Sequence, residues 1–415
     1  MNNKPKVKKI SSCRVCKGMS LVKVFGLGPT PLANAFLTKN QIDLEEEFYP
    51  LDVYFCNNCS FIELGHVVSP DLLFSNYVYV SSTSQVFIDH FKNFAQDVFK
   101  KFNLKDPLVI DIGSNDGILL IPFKKLGARV LGIEPAKRIA NVARKEGVET
   151  ISEYFSVSLA KKIVKQKGKA KVVTATNVFA HIDNLDEVIR GLQILLDKDG
   201  VFIMEAPYLI DFIQKRYFDL VYHEHLSYWS IATLKRLFQR FDMKVFDVKK
   251  AAVHGGSIRV FVANNKSKYK IQQNVEKFLK KEKNAGLTDI NTYKEYATKI
   301  EENKIKLLTL LQSLKIKGKK IVGFGAPAKG NTLLNFFSIG TETLDYIIDN
   351  NSWKQGLYSP GKRIPVVSPE VLKKDKVDYI LILAWNFAES IMKNNRQFSK
   401  GGGHFIIPVP KPKII

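Results

Sequence analysis

PLVIDIGSNDGILLIPFKKLGARVLGIEPA runs from Pro107 to Ala136. Its first part, LVIDIG, is a short apolar run closed by glycine, the pattern of a buried parallel strand. GSNDG then supplies a turn, ILLIPFKKLG begins a helix, and ARVLGIEPA is a second strand ending in Glu134. Strand, helix and strand of this kind build an open α/β sheet, whose ligands bind beyond the carboxyl ends of the strands. Gly113 and Gly117 let the backbone approach a ligand there, and an acid ending the second strand can hold both hydroxyls of a ribose. The glycine spacing is not G-x-G-x-x-G, and nothing prepares a helix N-terminus for pyrophosphate.

The neighbouring sequence continues the pattern. VFIDHFKNFAQDVFKKF, before it, has apolar positions at helical spacing. KVVTATNVFAHI and GVFIMEAPYL read as further strands, and FDMKVFDVKKAAVHGGSIRVFVAN as two strands joined by a loop. Asn177 and His181 fall just past a strand end, on the ligand side of the sheet. His181 also suits an ordinary loop histidine with a local partner. The stretch resembles the glycine-rich first motif of class I S-adenosylmethionine-dependent methyltransferases. That resemblance implies that Asp111 and Gly113 lie against the methionine part of the cofactor and that Glu134 takes its ribose. Asn115, Gly117 and Asn177 complete the expected cofactor set.

A chain of 415 residues is too long for one compact core, so two or three domains are expected. Its net charge of +23 raises the question of a phosphate-rich partner. The lysines are spread over the whole chain, and dense stretches such as FLKKEKNAG alternate with apolar helix positions, as solvated faces do. No nucleic-acid partner is expected. No apolar run is long enough to span a bilayer, so no membrane partner is expected either. MNNKPKVKKISS has basic residues but no apolar core after them. It reads as a short disordered tail on a cytoplasmic protein, a monomer or weak oligomer.

All four cysteines fall in two pairs, Cys13-x-x-Cys16 and Cys56-x-x-Cys59. Two converging thiolate knuckles make a tetrahedral zinc site. Disulfides are disfavoured in a cytosolic chain, and neither pair has the strand-to-helix context of a thioredoxin-type site. Four thiolates leave no open coordination position, so the expected zinc is structural.

VYHEHLSYWS, Val221 to Ser230, holds two of the seven histidines. A zinc protease needs His-Glu-x-x-His, but the residue four after His223 is Ser227. Chelation by His223 and His225 alone remains an alternative. LIDFIQKRYFDLVY before it reads as an amphipathic helix, and Ser230 is an N-cap candidate for SIATLKRLFQRF after it. His-Glu-His thus lies in a connection between helices, a place for function.

YVYVSSTS, DIGSNDG, NVFAHI, FDLVYHEHLSYWS and HGGSIRV occur in that order. Together with the CxxC pairs they resemble the sugar C-methyltransferases that act on nucleotide-linked 4-keto-deoxyhexoses. The resemblance covers nearly the whole chain. It implies a nucleotide-diphosphate sugar substrate, S-adenosylmethionine as methyl donor and zinc as a structural ion. It makes His225 the base, with Tyr222, Glu224, His181 and Tyr77 as orienting or enolate-stabilising partners. His223 receives no role. Tyr79, Lys329 and Asn331 are the expected substrate-binding residues, Lys329 as a phosphate partner.

The last third opens with charged amphipathic helices and then KKIVGFGAPAKGNTLLNFF, a strand, glycine turn and helix. Gly323, Gly325 and Gly330 approach a dinucleotide fingerprint but miss its spacing. A working dinucleotide site and a decayed fold that holds the substrate's diphosphate both remain open, and the resemblance favours the second. The expected organisation is a zinc-ribbon-like domain over 1–75, a methyltransferase core over 76–266, a helical linker over 267–317 and a second Rossmann-like domain over 318–415.

Overall fold

The computed structural model describes residues 5–74, 82 and 85–415. Among the described residues, nineteen strands fall into four sheets. The smallest pairs β1 (Val7–Lys9) with β5 (His66–Val68). This corrects the expectation of a disordered tail, because Val7–Lys9 finds an open antiparallel edge that satisfies its backbone. A four-stranded sheet has β2 (Leu21–Thr30), β3 (Tyr49–Cys56) and β4 (Ile62–Leu64), ordered β11-β4-β3-β2. Its outer strand β11 (Ser227–Tyr228) comes from far along the chain, inside VYHEHLSYWS.

The seven-stranded sheet carries the opening stretch. β6 (Leu108–Ile112), β7 (Arg129–Ile133), β8 (Thr150–Ile151), β9 (Ala170–Thr176) and β10 (Leu196–Pro207) are parallel. β12 (Met243–Ala251) and β13 (Ser257–Asn264) add an antiparallel edge, giving the order β12-β13-β10-β9-β6-β7-β8. Every residue of β6 is buried, as its unbroken apolar run requires. The helix Gln85–Phe102 lays Phe87, Phe91, Phe94, Ala95 and Val98 on the core, an i, i+4, i+7 stripe.

The last sheet orders β14 (Ile321–Phe324), β15 (Ile347–Ile348), β16 (Val366–Val367), β17 (Tyr379–Ile382), β18 (His404–Ile407) and β19 (Lys413–Ile414) as β16-β15-β14-β17-β18-β19. All neighbours are parallel except β18 and β19. In both large sheets the winding direction reverses beside the first strand, between β6 and β9 and between β14 and β17. Such switch points are where open sheets leave a crevice.

The helix Ile290–Ile316 ties the units together. Tyr296 packs edge-on against Phe25 of β2 at 5.4 Å and against Phe212 at 5.1 Å, while Tyr293 meets Phe55 of β3 at 5.5 Å. Farther along, Asn303 donates to the Pro408 carbonyl at 3.1 Å. Burying each apolar ring contributes roughly 2–3 kcal/mol, so this helix is a structural spine.

Candidate active site

At the end of β6 the chain reverses through Gly113, at φ 69°, where any side chain would collide with Val178. The Gly113 and Ser114 amides donate to Ile133 O at 2.7 and 3.1 Å, folding the turn onto the end of β7. Glu134, buried there, accepts the Asn115 amide on one oxygen at 3.0 Å and the Ala136 amide on the other at 2.9 Å. Each carboxylate oxygen keeps a second lone pair for a ribose hydroxyl. Burial raises its pKa against these two bonds. Asp111 accepts from Thr174 Oγ1 at 2.6 Å, and burial pushes its carboxyl up to about 7. Asn115 and Asn177 both sit at positive φ, 49° and 56°, and the Asn177 amide donates to Glu205 O at 2.7 Å. Gly117 also lies at positive φ, 81°, packed on Val148. A side-chain-free cradle facing a carboxylate fits S-adenosylmethionine. Glu134 would hold its ribose, with Asp111, Gly113 and Asn177 along the methionine arm.

The HEH segment divides its labour. His225 Nδ1 lies 2.8 Å from the Leu220 carbonyl, which only accepts, so Nδ1 carries the proton. Nε2 is then the lone-pair atom, and Tyr222 Oη donates to it at 2.7 Å. Burial, countered by the Leu220 carbonyl and aided by the charge of Lys329, brings the His225 pKa down to about 4. His225 is therefore a neutral imidazole at physiological pH. His181 stacks on it with centroids 5.1 Å apart, its own pKa also well lowered by burial. Tyr222 and His181 thus meet His225 as expected. Glu224 does not: its hydrogen bond comes from Asn34 Nδ2 at 2.6 Å, and burial raises its carboxyl to about 7. His223, for which the sequence suggested nothing, donates from Nε2 to the Tyr49 carbonyl of β3 at 3.0 Å. The adjacent His223 and Glu224 thus anchor the loop to the N-terminal region, while His225 turns its lone pair to Tyr222. The expected long helix before the loop is two short pieces, Leu209–Gln214 and Phe218–Leu220, broken at Arg216 with φ 57°. Ser230 caps the following helix as expected, accepting from the Thr233 amide at 3.2 Å. Tyr77 and Tyr79 lie outside the described residues.

Lys329, at the start of the helix Ala328–Phe337, reaches the same crevice. Its ammonium donates to Asn386 Oδ1, lies 4.1 Å over the Trp385 indole, and neighbours Asp219, which accepts from Trp385 Nε1. Burial drives both ions toward neutrality, Lys329 downward and Asp219 upward. Asn331 points elsewhere, donating to the Ala33 carbonyl at 2.8 Å.

The four cysteines converge. Cys13 and Cys59 Sγ are 3.6 Å apart, as are Cys16 and Cys56, and all four sulfurs lie within 4.8 Å of one another. A disulfide needs about 2.05 Å, whereas the edge of a zinc–thiolate tetrahedron is about 3.8 Å. Burial and close sulfur neighbours push the Cys13 and Cys56 thiols up, and a bound dication reverses that by pairing with thiolates. The donor set fits structural zinc.

The second α/β fold repeats the cofactor arrangement with one change. Asp349, just past β15, accepts the Ala326 amide at 2.6 Å and the Asn351 amide at 2.7 Å. Here a buried Lys354 donates to the Ala326 carbonyl at 2.8 Å, lies 4.0 Å from Asp349 and sits over the Phe36 ring. Gly325, at φ 84°, is closed against Ala384. The acid of this second fold is thus engaged by a buried lysine of its own loop.

Several site residues carried no sequence signal because their partners are remote. Glu205 binds His90 at 2.6 Å and Arg259 at 3.0 Å; burial would raise its pKa, but these two partners hold it below the usual range. Glu282 accepts the Ile231 and Ala232 amides at 2.6 and 2.9 Å, closing the helix that follows the loop. A buried Asp, Glu or Arg in a sequence is indistinguishable from an exposed one.

Three family models match the chain: a zinc binding domain of methyltransferases over residues 13–74, a methyltransferase domain over 87–248 and a C-methyltransferase C-terminal domain over 252–410. The C-methyltransferase NovU of Streptomyces niveus is 38% identical over 99% of this chain and 98% of its own length. A ubiquinone biosynthesis O-methyltransferase of Pelagibacter ubique is 26% identical, over 30% of this chain and 52% of its own. The magnesium protoporphyrin IX methyltransferase of Synechocystis, crystallised with S-adenosylhomocysteine, superposes with a TM-score of 0.35 at 15% identity, covering 47% of this chain and 91% of its own.

Proposed function

We propose, from the premise that the chain belongs to the C-methyltransferase family, that it methylates C3 of a nucleotide-diphosphate-linked 4-keto-deoxy sugar. The observation that carries this reading is the tautomer-locked His225 with Tyr222 at 2.7 Å on its basic nitrogen. Methyl transfer to oxygen needs only a modest base, whereas transfer to carbon needs a carbanion equivalent. A ketone provides one, because it acidifies the adjacent C–H. Tyr222 Oη leaves Nε2 for the incoming oxygen, and Nε2 takes the carbon-bound proton. The C–H electron pair becomes the enolate, whose oxygen lies within a ring of donors: Tyr222, His181 and Lys329. S-adenosylmethionine, when bound, supplies the electrophilic methyl that the enolate carbon takes, leaving S-adenosylhomocysteine. The Asp219–Lys329 pair brings the second α/β fold onto the substrate side of the crevice. It supports a substrate large enough to span both folds, as a nucleotide sugar is.

The test is proton exchange. In deuterated water with S-adenosylhomocysteine, the protein should wash the proton next to the ketone out of a 4-keto-6-deoxyhexose on thymidine or uridine diphosphate. His225→Asn should slow that exchange about 10³-fold while S-adenosylhomocysteine still binds. Failure of the wild type to exchange any such sugar, or an undiminished rate in His225→Asn, refutes the mechanism. The position of the methyl in the product decides C3.

A further inference from the structure

Arg14 sits between Cys13 and Cys16 in the first knuckle, its side chain only 3% exposed. Burying a guanidinium is costly unless it is paired and hydrogen-bonded; Nη2 is buried without a hydrogen-bond partner among the described residues, and Nε and Nη1 carry the pairing. Here the donors are directed away from the sulfurs. Nη1 donates to Glu63 Oε2 and to the Leu64 carbonyl, both at 2.8 Å, and Nε donates to Asp183 Oδ1 at 2.9 Å. The Arg14 amide adds a bond to the same Glu63 oxygen at 3.2 Å.

These acceptors belong to the two segments that carry the histidines. Asp183 follows His181 by two residues. Glu63 and Leu64 form β4, where Ser227 pairs with Glu63 and the Leu64 amide donates to Leu226 O at 3.0 Å, directly after His225. The Leu226 amide in turn donates to Ala180 O at 2.9 Å, the residue before His181. One rigid planar fork therefore spans the chain beyond His181 and the strand that holds the chain beyond His225. The two imidazoles it brackets stack at 5.1 Å.

We propose that Arg14 is a positioning residue for proton abstraction, setting the spacing of His181 and His225 from the metal knuckle. The proposal rests on the reading of His225 as base. Lysine keeps the charge but cannot donate along three fixed directions in one plane. A shift of about 1 Å in a reacting group is enough to cost on the order of 100-fold in rate.

The experiment uses the full zinc-loaded chain and the thymidine-diphosphate 4-keto-6-deoxyhexose exchange assay. Asp183→Ala cuts only the arm toward His181, since it removes the acceptor, and, because Asp183 is 41% exposed, spares the fold. It and Arg14→Lys should slow exchange about 10- to 100-fold, with zinc content, melting temperature and S-adenosylhomocysteine affinity held near wild type. In a His181→Asn background, Asp183→Ala should add no further loss. Imidazole 15N spectra should show His225 losing its single Nδ1–H tautomer in Arg14→Lys. Exchange in Asp183→Ala within twofold of wild type, a fully additive loss on His181→Asn, or a loss that tracks zinc release would each overturn the proposal. Exchange insensitive to His225→Asn would instead point to failure of the base assignment beneath it.

Discussion

The chain contains the same winding twice, and the two copies differ in what faces the acid past the second strand. In both, a buried first strand ends at a positive-φ glycine, and an acid past the second strand accepts two backbone amides. In both, the glycine faces the chain that follows the strand across the switch point, Val178 in one and Ala384 in the other. The difference is a single cation. No salt bridge reaches Glu134 among the described residues, whereas Lys354 lies 4.0 Å from Asp349 and bonds the adjacent carbonyl. The first acid is held by two backbone amides, and the second also faces a lysine of its own loop. Fold alone therefore does not make a cofactor site.

Paired substitutions test this contrast. Glu134→Ala should weaken S-adenosylhomocysteine binding at least about 100-fold by calorimetry, two charge-assisted hydrogen bonds being lost. Asp349→Ala should leave that affinity within twofold and lower only stability, by roughly 1–3 kcal/mol for two orphaned amides. Equal losses of affinity would erase the distinction. Next come the glycines. Gly113→Ala and Gly325→Ala should each cost about 2 kcal/mol or more in denaturant titrations, because both combine a left-handed backbone with a collision. Only the first should also lower cofactor affinity. The smallest effect is that of pH. Burial raises Glu134, and raises Asp111 to about 7, so protons compete with the cofactor above the ordinary carboxylate range. Affinity should then fall about tenfold from pH 8 to 6 as Asp111 gains a proton, and Asp111→Asn should flatten the slope. An affinity indifferent to pH would place the methionine arm away from Asp111.

A second contrast lies inside VYHEHLSYWS. The segment attracts attention as a possible metal site, yet its three central residues face two ways. His223 and Glu224 are held by Tyr49 and Asn34 of the N-terminal region, while His225 faces Tyr222 and His181. The pairing of Ser227–Tyr228 with β4 ties the end of the segment to the sheet that carries Cys56, while His223–His225 lie in the chain just before that strand.

Much of this was legible locally. Buried parallel strands announce themselves as unbroken apolar runs, the helix Gln85–Phe102 by its stripe, the zinc site by paired cysteines, and the cofactor crevice by a glycine turn with an acid one strand later. Those signals work because each depends on residues a few positions apart, or on a residue type with few other uses. Misreadings arose where the partner was distant. MNNKPKVKKISS looked like a free tail because the edge it pairs with, His66–Val68, is some sixty residues away. Asn331 looked like a substrate ligand because nothing nearby reveals that Ala33 takes its amide.

The α/β class and the four-cysteine clip could thus be read from local pattern alone, since backbone geometry and ligand chemistry dictate residue type at short range. Which nitrogen of His225 keeps its lone pair, that Lys354 lies beside Asp349, and that Arg14 joins the knuckle to both histidine segments were decided by packing. Burial determines which charges must pair and which nitrogen keeps its lone pair, and burial is a property of surfaces brought together from distant parts of the chain.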